Sequence, residues 1–501
     1  MEVIMSSYLK LQNGSDVRGV ALEGVPGESV NLTHLETYHI AISFAKWLSV
    51  KLNKPTDALR ISVGCDSRLS AKSLKKGIFS GLASCSVTPY DCGITSTPSV
   101  FMSTVFEESQ FDGGIMLTAS HLPFNKNGMK FFTRQGGLNK TDIHTLLSSI
   151  VPTDYIEDLS TVKEFDLVKH YSQHIVQMIR DGVNADDYNQ PLKNMHIIVD
   201  AGNGAGGFFA DHVLRPLGAD TSGSQFLDPD GNFPNHIPNP EDTDAINSII
   251  HATLKTNADL GIIFDTDVDR AAVIDHDGQA INRNKLIALM SAITLSEHPG
   301  STIVTDSVTS DGLEKFITEL GGHHHRFKRG YKNVIDESIR LNNEEIPSHL
   351  AIETSGHGAF KDNYFLDDGA YIVTKILIIL AQLRKENKDI SDLITTLEEP
   401  KDAVEIRLTI KEDDFKSYGQ TILDDFKSYV SDNPHYTLVS PNYEGVRVNY
   451  DFDGIKGWVL IRLSLHDPVI PINIESTNEN GCDVAQKDLF AFLEAYNQLA
   501  K

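Results

Sequence analysis

A chain of 501 residues exceeds what one hydrophobic core organises, so several domains are expected. Its formal charge of −25 excludes broad binding to nucleic acid or to an anionic membrane surface, and an apolar fraction of 40% fits a globular protein. Four cysteines, Cys65, Cys85, Cys92 and Cys482, lack metal-type spacing and read as reduced thiols in a cytoplasmic chain. Met1 to Asn13 has no signal-peptide core. The most apolar stretch, Ile376 to Leu383, is far shorter than the ~20 residues of a membrane span, so it reads as a core helix.

The first domain opens on residues 13 to 19, Asn-Gly-Ser-Asp-Val-Arg-Gly, which include Arg18. A helical stretch, Leu35 to Val50, precedes a strand, Arg60 to Gly64, that runs into Cys65-Asp66-Ser67-Arg68. Ser70 is placed to cap a helix over Ala71 to Ala83, and Ser86 to Tyr90 reads as a strand. The apolar run Ile115 to Leu117 predicts a buried strand. It stops at a turn, Thr118-Ala119-Ser120-His121, and a second strand starts after Asn127-Gly128 and carries Lys130. A serine on such a turn is held by strands yet faces a cleft.

Val162 to Gly182 predicts a helix into a second domain, whose first strand is Met195 to Asp200. The glycine-rich turn after it, Ala201 to Gly207, is either a phosphate cradle or a device for close strand–helix packing. A helix over Asp242 to Thr256 follows. Four apolar runs end in an acidic residue: Arg60–Asp66, Met195–Asp200, Leu260–Asp265 and Ser301–Asp306. Each leads through a polar or glycine-rich turn into a helical pattern, which predicts α/β units with parallel-leaning sheets and ligands at the strands' carboxyl ends. Beyond the third run come Asp265, Asp267 and Asp269 at alternating positions, then Arg270. Three carboxylates on a tight loop after a buried strand suit a hard cation such as Mg²⁺.

Helix Lys285 to Leu295, strand Thr302 to Thr305 and helix Gly312 to Leu320 open a third domain. His323-His324-His325 is not read as a metal site, because successive strand residues point to opposite faces. Lys328 and Lys332 flank Gly330, and strand Leu350 to Ile352 leads into Glu353-Thr354-Ser355-Gly356-His357. Glutamate and serine there can pair with vicinal hydroxyls, and the histidine can exchange a proton. Asp367-Asp368-Gly369 opens the long core helix, and Glu398-Glu399-Pro400 marks a linker. The last domain reads as α+β: strand Val404 to Thr409, helix Asp413 to Val430, strands Glu444 to Tyr450 and Trp458 to Leu463, and a helix from about Ala485 to Leu499.

Four segments together resemble the α-D-phosphohexomutases, which include phosphoglucomutase, phosphomannomutase and phosphoglucosamine mutase. They are Thr118-Ala119-Ser120-His121-Leu122-Pro123, Asp265-Thr266-Asp267-Val268-Asp269-Arg270, Glu353-Thr354-Ser355-Gly356-His357 and Arg462-Leu463-Ser464-Leu465-His466. Leu122, Thr266 and His466 stand where the family usually has asparagine, glycine and threonine. The resemblance implies three related mixed-sheet α/β domains, over 1–160, 161–282 and 283–400. A TATA-binding-protein-like α+β domain over 401–501 completes a four-domain heart shape around a central cleft.

It further implies that Ser120 carries a phosphoryl group and, with Asp265, Asp267 and Asp269, binds Mg²⁺. Arg270 and His121 would attend that group, with Lys130, His357 and Arg18 as acid/base candidates. Glu353, Ser355 and either Lys328 or Lys332 would hold the sugar, and Arg462, Ser464 and His466 its phosphate. The expected reaction interconverts hexose 1- and 6-phosphates, of glucose or mannose, with hexose 1,6-bisphosphate as activator. The protein would act as a monomer or dimer on small sugar phosphates. Phosphoglucosamine mutase, a metal-dependent sugar phosphatase and a non-catalytic sugar-phosphate-binding paralogue are the alternatives. Glu353 to His357 argues against the phosphatase, and the retained Ser120, aspartates, Arg270 and Lys130 against the paralogue.

Overall fold

The apolar run before Ser120 folds as a wholly buried strand, Gly113–Leu117, at the centre of a mixed sheet. The computed structural model describes residues 8–464 and 467–500. Its chain contacts separate two units, Met1–Arg283 with Ser355–Asp392, and Asn284–Thr354 with Leu393–Lys501.

In the first unit, Gly113–Leu117 pairs in parallel with Arg60–Cys65 and antiparallel with Lys126–Thr133. Arg60–Cys65 continues the parallel part through Thr88–Ile94, and Asp16–Val20 extends the antiparallel side of Lys126–Thr133. The helices His34–Leu52 and Ala71–Ser84 cross closely over this sheet. Thr33 and Glu36 form a capping box that starts the first of them. Glycine permits the crossing: a Cβ on Gly77 would lie 2.1 Å from the His34 carbonyl oxygen, and one on Gly81 2.4 Å from that of Tyr38.

A second sheet in the same unit places Ile197–Asp200 parallel to Leu260–Phe264, which pairs antiparallel with Ala271–Asp275. The helices Leu167–Val183 and Gly369–Arg384 pack on one another beside it. The helical reading of the apolar run around Ile376 holds. Asp368 caps that helix by accepting from the Tyr371 amide at 2.9 Å, and it accepts the Tyr171 hydroxyl at 2.6 Å. Among the described residues no helix is long and apolar enough to cross a membrane.

The second unit holds three parallel strands, His323–Arg326, Thr302–Thr305 and Ser348–Ile352. The three histidines do lie along a strand. His324 bonds Thr305 Oγ1 and His325 bonds Glu337, which leaves no shared metal geometry. This unit also holds an antiparallel sheet in the order Tyr436–Leu438, Val446–Phe452, Ile455–Ile461, Val469–Ser476, Asp402–Ile410, Leu499–Ala500. Phe415–Asp432 and Cys482–Leu493 cover it, with Phe426, Ile422, Leu489 and Ala485 in a shared core.

Two expectations change here. The final helix stops at Leu493 rather than Leu499, because Leu499–Ala500 pairs with the edge of Asp402–Ile410 and satisfies backbone groups that a longer helix would leave open. Val469–Ser476 is an unanticipated central strand. Also unanticipated is helix Tyr331–Asn343, which places Lys332 in a first helical turn rather than in a loop.

Candidate active site

Ser120 stands in the left-handed region, φ 50°, on the turn that ends strand Gly113–Leu117. Two sets of bonds hold it there. Thr118 Oγ1 accepts the Ser120 amide at 2.9 Å. From beneath, the wholly buried Arg68 guanidinium donates to the carbonyls of Ser120, Leu122, Pro123 (2.8 Å) and Lys126 (2.9 Å). Asp66 lies 3.3 Å from Arg68 Nε, the Phe233 ring lies 5.4 Å from the guanidinium, and Gly231 presses on the backbone at residues 67–69. One arginine thus fixes the path of the whole turn while the serine hydroxyl stays outward.

That hydroxyl meets the loop Asp265–Arg270, which follows strand Leu260–Phe264. Ser120 Oγ is 3.0 Å from Asp265 Oδ2, and Arg270 Nη2 donates to it at 3.1 Å. Asp265, Asp267 and Asp269 are buried, and one carboxylate oxygen from each lies within 4.8 Å of the other two. The left-handed residue of this loop is Val268, φ 66°, so Thr266 in place of glycine imposes no such strain. A β-branched residue there costs about 1–2 kcal/mol, and the loop is held against it by the Gly369 amide, which donates to the Val268 carbonyl at 3.0 Å. A Cβ on Gly369 would come within 2.7 Å of the Arg270 carbonyl. The helix Gly369–Arg384 therefore begins against the acidic loop, and only glycine fits the junction. The glycine-rich turn serves packing of the same kind: a Cβ on Gly204 would lie 2.6 Å from the Thr266 carbonyl oxygen.

Lys130, on strand Lys126–Thr133, donates to Asp267 at 3.2 Å and Asp269 at 2.5 Å. Burial works against its charge, but Asp267 and Asp269 overcome it and hold the ammonium well above its ordinary pKa. Burial, then the charges of Asp269 and Asp267, push Asp265 well up. Asp269 is buried too, yet Lys130, His357 and Arg270 outweigh that and hold it low. Thr97 adds its amide to the Asp267 carbonyl at 2.8 Å and its hydroxyl to the Asp267 carboxylate.

Around the serine, Arg270 Nη2 donates to His121 Nδ1 at 2.7 Å, so that nitrogen is an acceptor and Nε2 carries the proton. Burial and then Arg270 lower His121 to about 4, and burial lowers His357 to about 3. Both imidazoles are neutral near pH 7. His357 Nε2 lies 3.7 Å from Asp269 Oδ1, and its Nδ1 bonds Ser355 Oγ at 2.9 Å. Arg18 donates to the Thr118 carbonyl at 2.8 Å and to Asp16 at 2.9 Å. Asn239 accepts from Arg270 Nη1 at 3.1 Å.

The second unit groups its own charges. Arg462 is 8% exposed, and its Nε is buried without a hydrogen-bond partner. Burial, and then Arg329 against the pull of Glu444, lower its pKa. Ser464 Oγ accepts the Asp467 amide at 3.3 Å, while His466 lies outside the described residues. Glu353 accepts the Gly330 amide at 2.6 Å. Of the two lysines named from the sequence, Lys328 is exposed over the Phe327 ring and Lys332 pairs with Asp336. Arg329 between them is the cation turned to this group, with its amide 3.1 Å from Glu444 and its Nε 3.9 Å from Asp306.

Similarity to known proteins covers most of the chain. Residues 10–155, 169–278 and 282–400 match the phosphoglucomutase/phosphomannomutase α/β/α domains I, II and III. A phosphomannomutase/phosphoglucomutase of Pseudomonas aeruginosa is 30% identical over 425 residues, 84% of each chain. The chain belongs to the phosphoglucomutase/phosphomannomutase family. A phosphoglucomutase/phosphomannomutase of Thermococcus kodakarensis is also 30% identical, over 84% of this chain and 86% of its own. A crystal structure of a family member from Burkholderia thailandensis superposes with a TM-score of 0.78 at 26% identity, over 98% of this chain and 97% of that one. Hexose-phosphate mutase, an isomerase, is the activity class of this family.

The acidic loop fits a metal ion on its own chemistry. Asp267 Oδ1 and Asp269 Oδ1 are buried acceptors with no hydrogen-bond partner, and three clustered carboxylates exceed what Lys130 and Arg270 neutralise. The structure places Ser120, His121, Lys130, Arg270 and the three aspartates, all named from the sequence, beside one another. Sequence reasoning missed Arg68, Thr97, Asn239 and Arg329. For Arg68 the signal was present in Asp66-Ser67-Arg68 at a strand's end, a position where α/β sheets gather functional groups.

Proposed function

We propose that this mutase interconverts the 1- and 6-phosphates of glucose and mannose through a phosphoryl group carried on Ser120. The observation that carries the reading is the Ser120 hydroxyl itself. It lies 3.0 Å from Asp265 and 3.1 Å from Arg270, at the edge of a buried group of three carboxylates.

Phosphoryl transfer depends on positioning and on charge neutralisation. A phosphate on Ser120 carries about −1.5 to −2 charges at pH 7. Asp265, Asp267 and Asp269, with that phosphate, would hold Mg²⁺, which supplies the offsetting charge. Arg270 adds a guanidinium to the same oxygens, and His121, bonded to Arg270, fixes the guanidinium's direction. A sugar hydroxyl attacks phosphorus, the bond from phosphorus to Ser120 Oγ breaks, and the hydroxyl's proton, taken up in passing by the neutral imidazole of His357, ends on the departing Ser120 Oγ. Lys130, paired with Asp267 and Asp269, supplies counter-charge to the same loop. The product is a hexose 1,6-bisphosphate. Turned end for end, it returns its other phosphate to Ser120. Free bisphosphate phosphorylates an empty Ser120, hence its role as activator.

Arg462, Ser464 and Arg329 grip the phosphate that is not transferred, and Glu353 accepts from ring hydroxyls.

The test is a panel of glucose, mannose and glucosamine 1-phosphates, each assayed for its 6-phosphate with and without bisphosphate, on wild type and Ser120→Ala. Isomerisation of the first two, stimulated by bisphosphate and lost in Ser120→Ala, is expected. Release of inorganic phosphate in place of isomerisation makes the protein a phosphatase, and full activity of Ser120→Ala removes the phosphoserine.

A further inference from the structure

Behind the Ser120 turn, on the side of the sheet covered by helix Ala71–Ser84, lies a cavity of about 430 Å³. We propose that this cavity binds a small organic acid with an apolar body, and that its occupant acts on the Ser120 turn through Arg68.

Charge argues for the acid. Arg68, Lys72, Lys75 and Lys76 line the cavity against only Asp66 and Asp91. Arg68 is matched by Asp66 and Lys75 by Asp91, which leaves Lys72 and Lys76. These two sit four residues apart on one face of the helix, in its first turns, where the helix dipole also favours an anion. Lys76 has Glu157 at 3.7 Å, but that pair is about half exposed on both sides and holds it weakly. A local surplus of two cations is notable in a chain of net charge −25.

The apolar body follows from the rest of the wall. Leu69, Ile94 and Leu159 are exposed by 50%, 43% and 38%, and all three border this one cavity, with Phe79 beside them. Scattered apolar residues on a surface need no explanation, but three gathered around a pocket of ligand size do.

The route to Ser120 is a single side chain. Asp66, Ser67 and Arg68 form the wall nearest the turn. Asp66 Oδ2 and Arg68 Nε face each other at 3.3 Å, and Ser67 Oγ is buried without a hydrogen-bond partner. The other nitrogens of Arg68 hold the carbonyls of Ser120, Leu122, Pro123 and Lys126. An occupant packed against this wall shifts or stiffens the one group that fixes the turn. Its effect on turnover rests on Ser120 being the phosphoryl carrier, whereas its binding does not.

The probe is 3-phenylpropionate, with 3-phenylpropanol as its uncharged counterpart, titrated into the full chain by calorimetry. Saturable binding is expected, weakened about tenfold or more in Lys72→Glu/Lys76→Glu and in the alcohol, and unchanged in Arg462→Ala. Failure to saturate, equal affinity in the double variant, or displacement by hexose phosphate overturns the site. In the assay the probe should change kcat without changing KM for the hexose phosphate, and the double variant should lose that response. Binding with no change in kcat removes the link to Ser120. Binding by a chain that lacks mutase activity leaves the site standing and counts against the assigned reaction alone.

Discussion

The Ser120 region and the Arg462 region both present cations, yet their cations are matched in opposite ways. In the first, every cation already has an internal partner: Lys130 has Asp267 and Asp269, Arg270 has Asp265, and Arg68 has Asp66 and four carbonyls. In the second, Arg462 keeps a buried Nε with no hydrogen-bond partner, and burial lowers its pKa. Charges locked before substrate arrives cost no reorganisation during reaction, which is the condition for lowering a barrier. A buried donor without a partner gains most when a ligand supplies one, which is the condition for binding. The first region should therefore govern kcat and the second KM.

The largest expected effect falls on the acidic loop. Asp267→Ala should lower kcat by about a thousandfold or more, since it removes one carboxylate of the proposed metal site and one of the two counter-charges of Lys130. A chelator should abolish turnover of wild type, with Mg²⁺ restoring it. Retained activity in metal-free Asp267→Ala would refute the division of roles.

Arg68 comes next, and it sharpens the comparison because it touches no substrate. Arg68→Lys keeps a charge beside Asp66 but loses the fork that reaches several carbonyls. A turn displaced by even a fraction of an ångström should lower kcat about ten- to a hundredfold with KM unchanged. A matching melting temperature for the two proteins excludes simple unfolding. A rise in KM alone would move Arg68 into the binding class.

Arg462→Ala should do the reverse: KM for the sugar phosphate rises about ten- to a hundredfold while kcat stays within a fewfold, because the contact holds ground and transition states alike. A collapse of kcat at constant KM would erase the contrast between the regions.

The two regions also differed in how far the sequence exposed them. Strand, sharp turn and acidic or small residues occur in uninterrupted order at Ser120 and at Asp265 to Arg270, so local pattern marked both loops and the family resemblance singled out Ser120. Arg68 could not be found so, because a buried arginine looks like a surface one until four carbonyls from residues 120–126 close around it. Arg329 was hidden between two lysines, and only tertiary placement selects it. The strand Val469–Ser476 was masked by Pro471, a residue that argues against a central strand; here its carbonyl still accepts the Arg462 amide at 3.1 Å.

The smallest expected effect tests stability rather than rate, and lies in the second unit away from Arg462. Glu475 accepts Trp458 Nε1 at 2.9 Å, and burial raises its pKa to about 7 although Trp458 and Arg447 oppose the shift. An acid raised in the fold binds more protons folded than unfolded between its ordinary value of 4.5 and about 7. Its contribution is therefore complete below pH 4.5, falls as pH rises through that window, and levels off above it. Glu475→Gln keeps the acceptor for Trp458 and cannot ionise, so it should lack this decline. The chain has two tryptophans, Trp47 and Trp458, so fluorescence in a Trp47→Phe background reports the unit that holds Glu475. Melting of that signal should favour Glu475→Gln by a margin that grows from pH 5 to pH 7.5. Parallel curves for the two proteins across that range would mean that Glu475 is already charged in the fold.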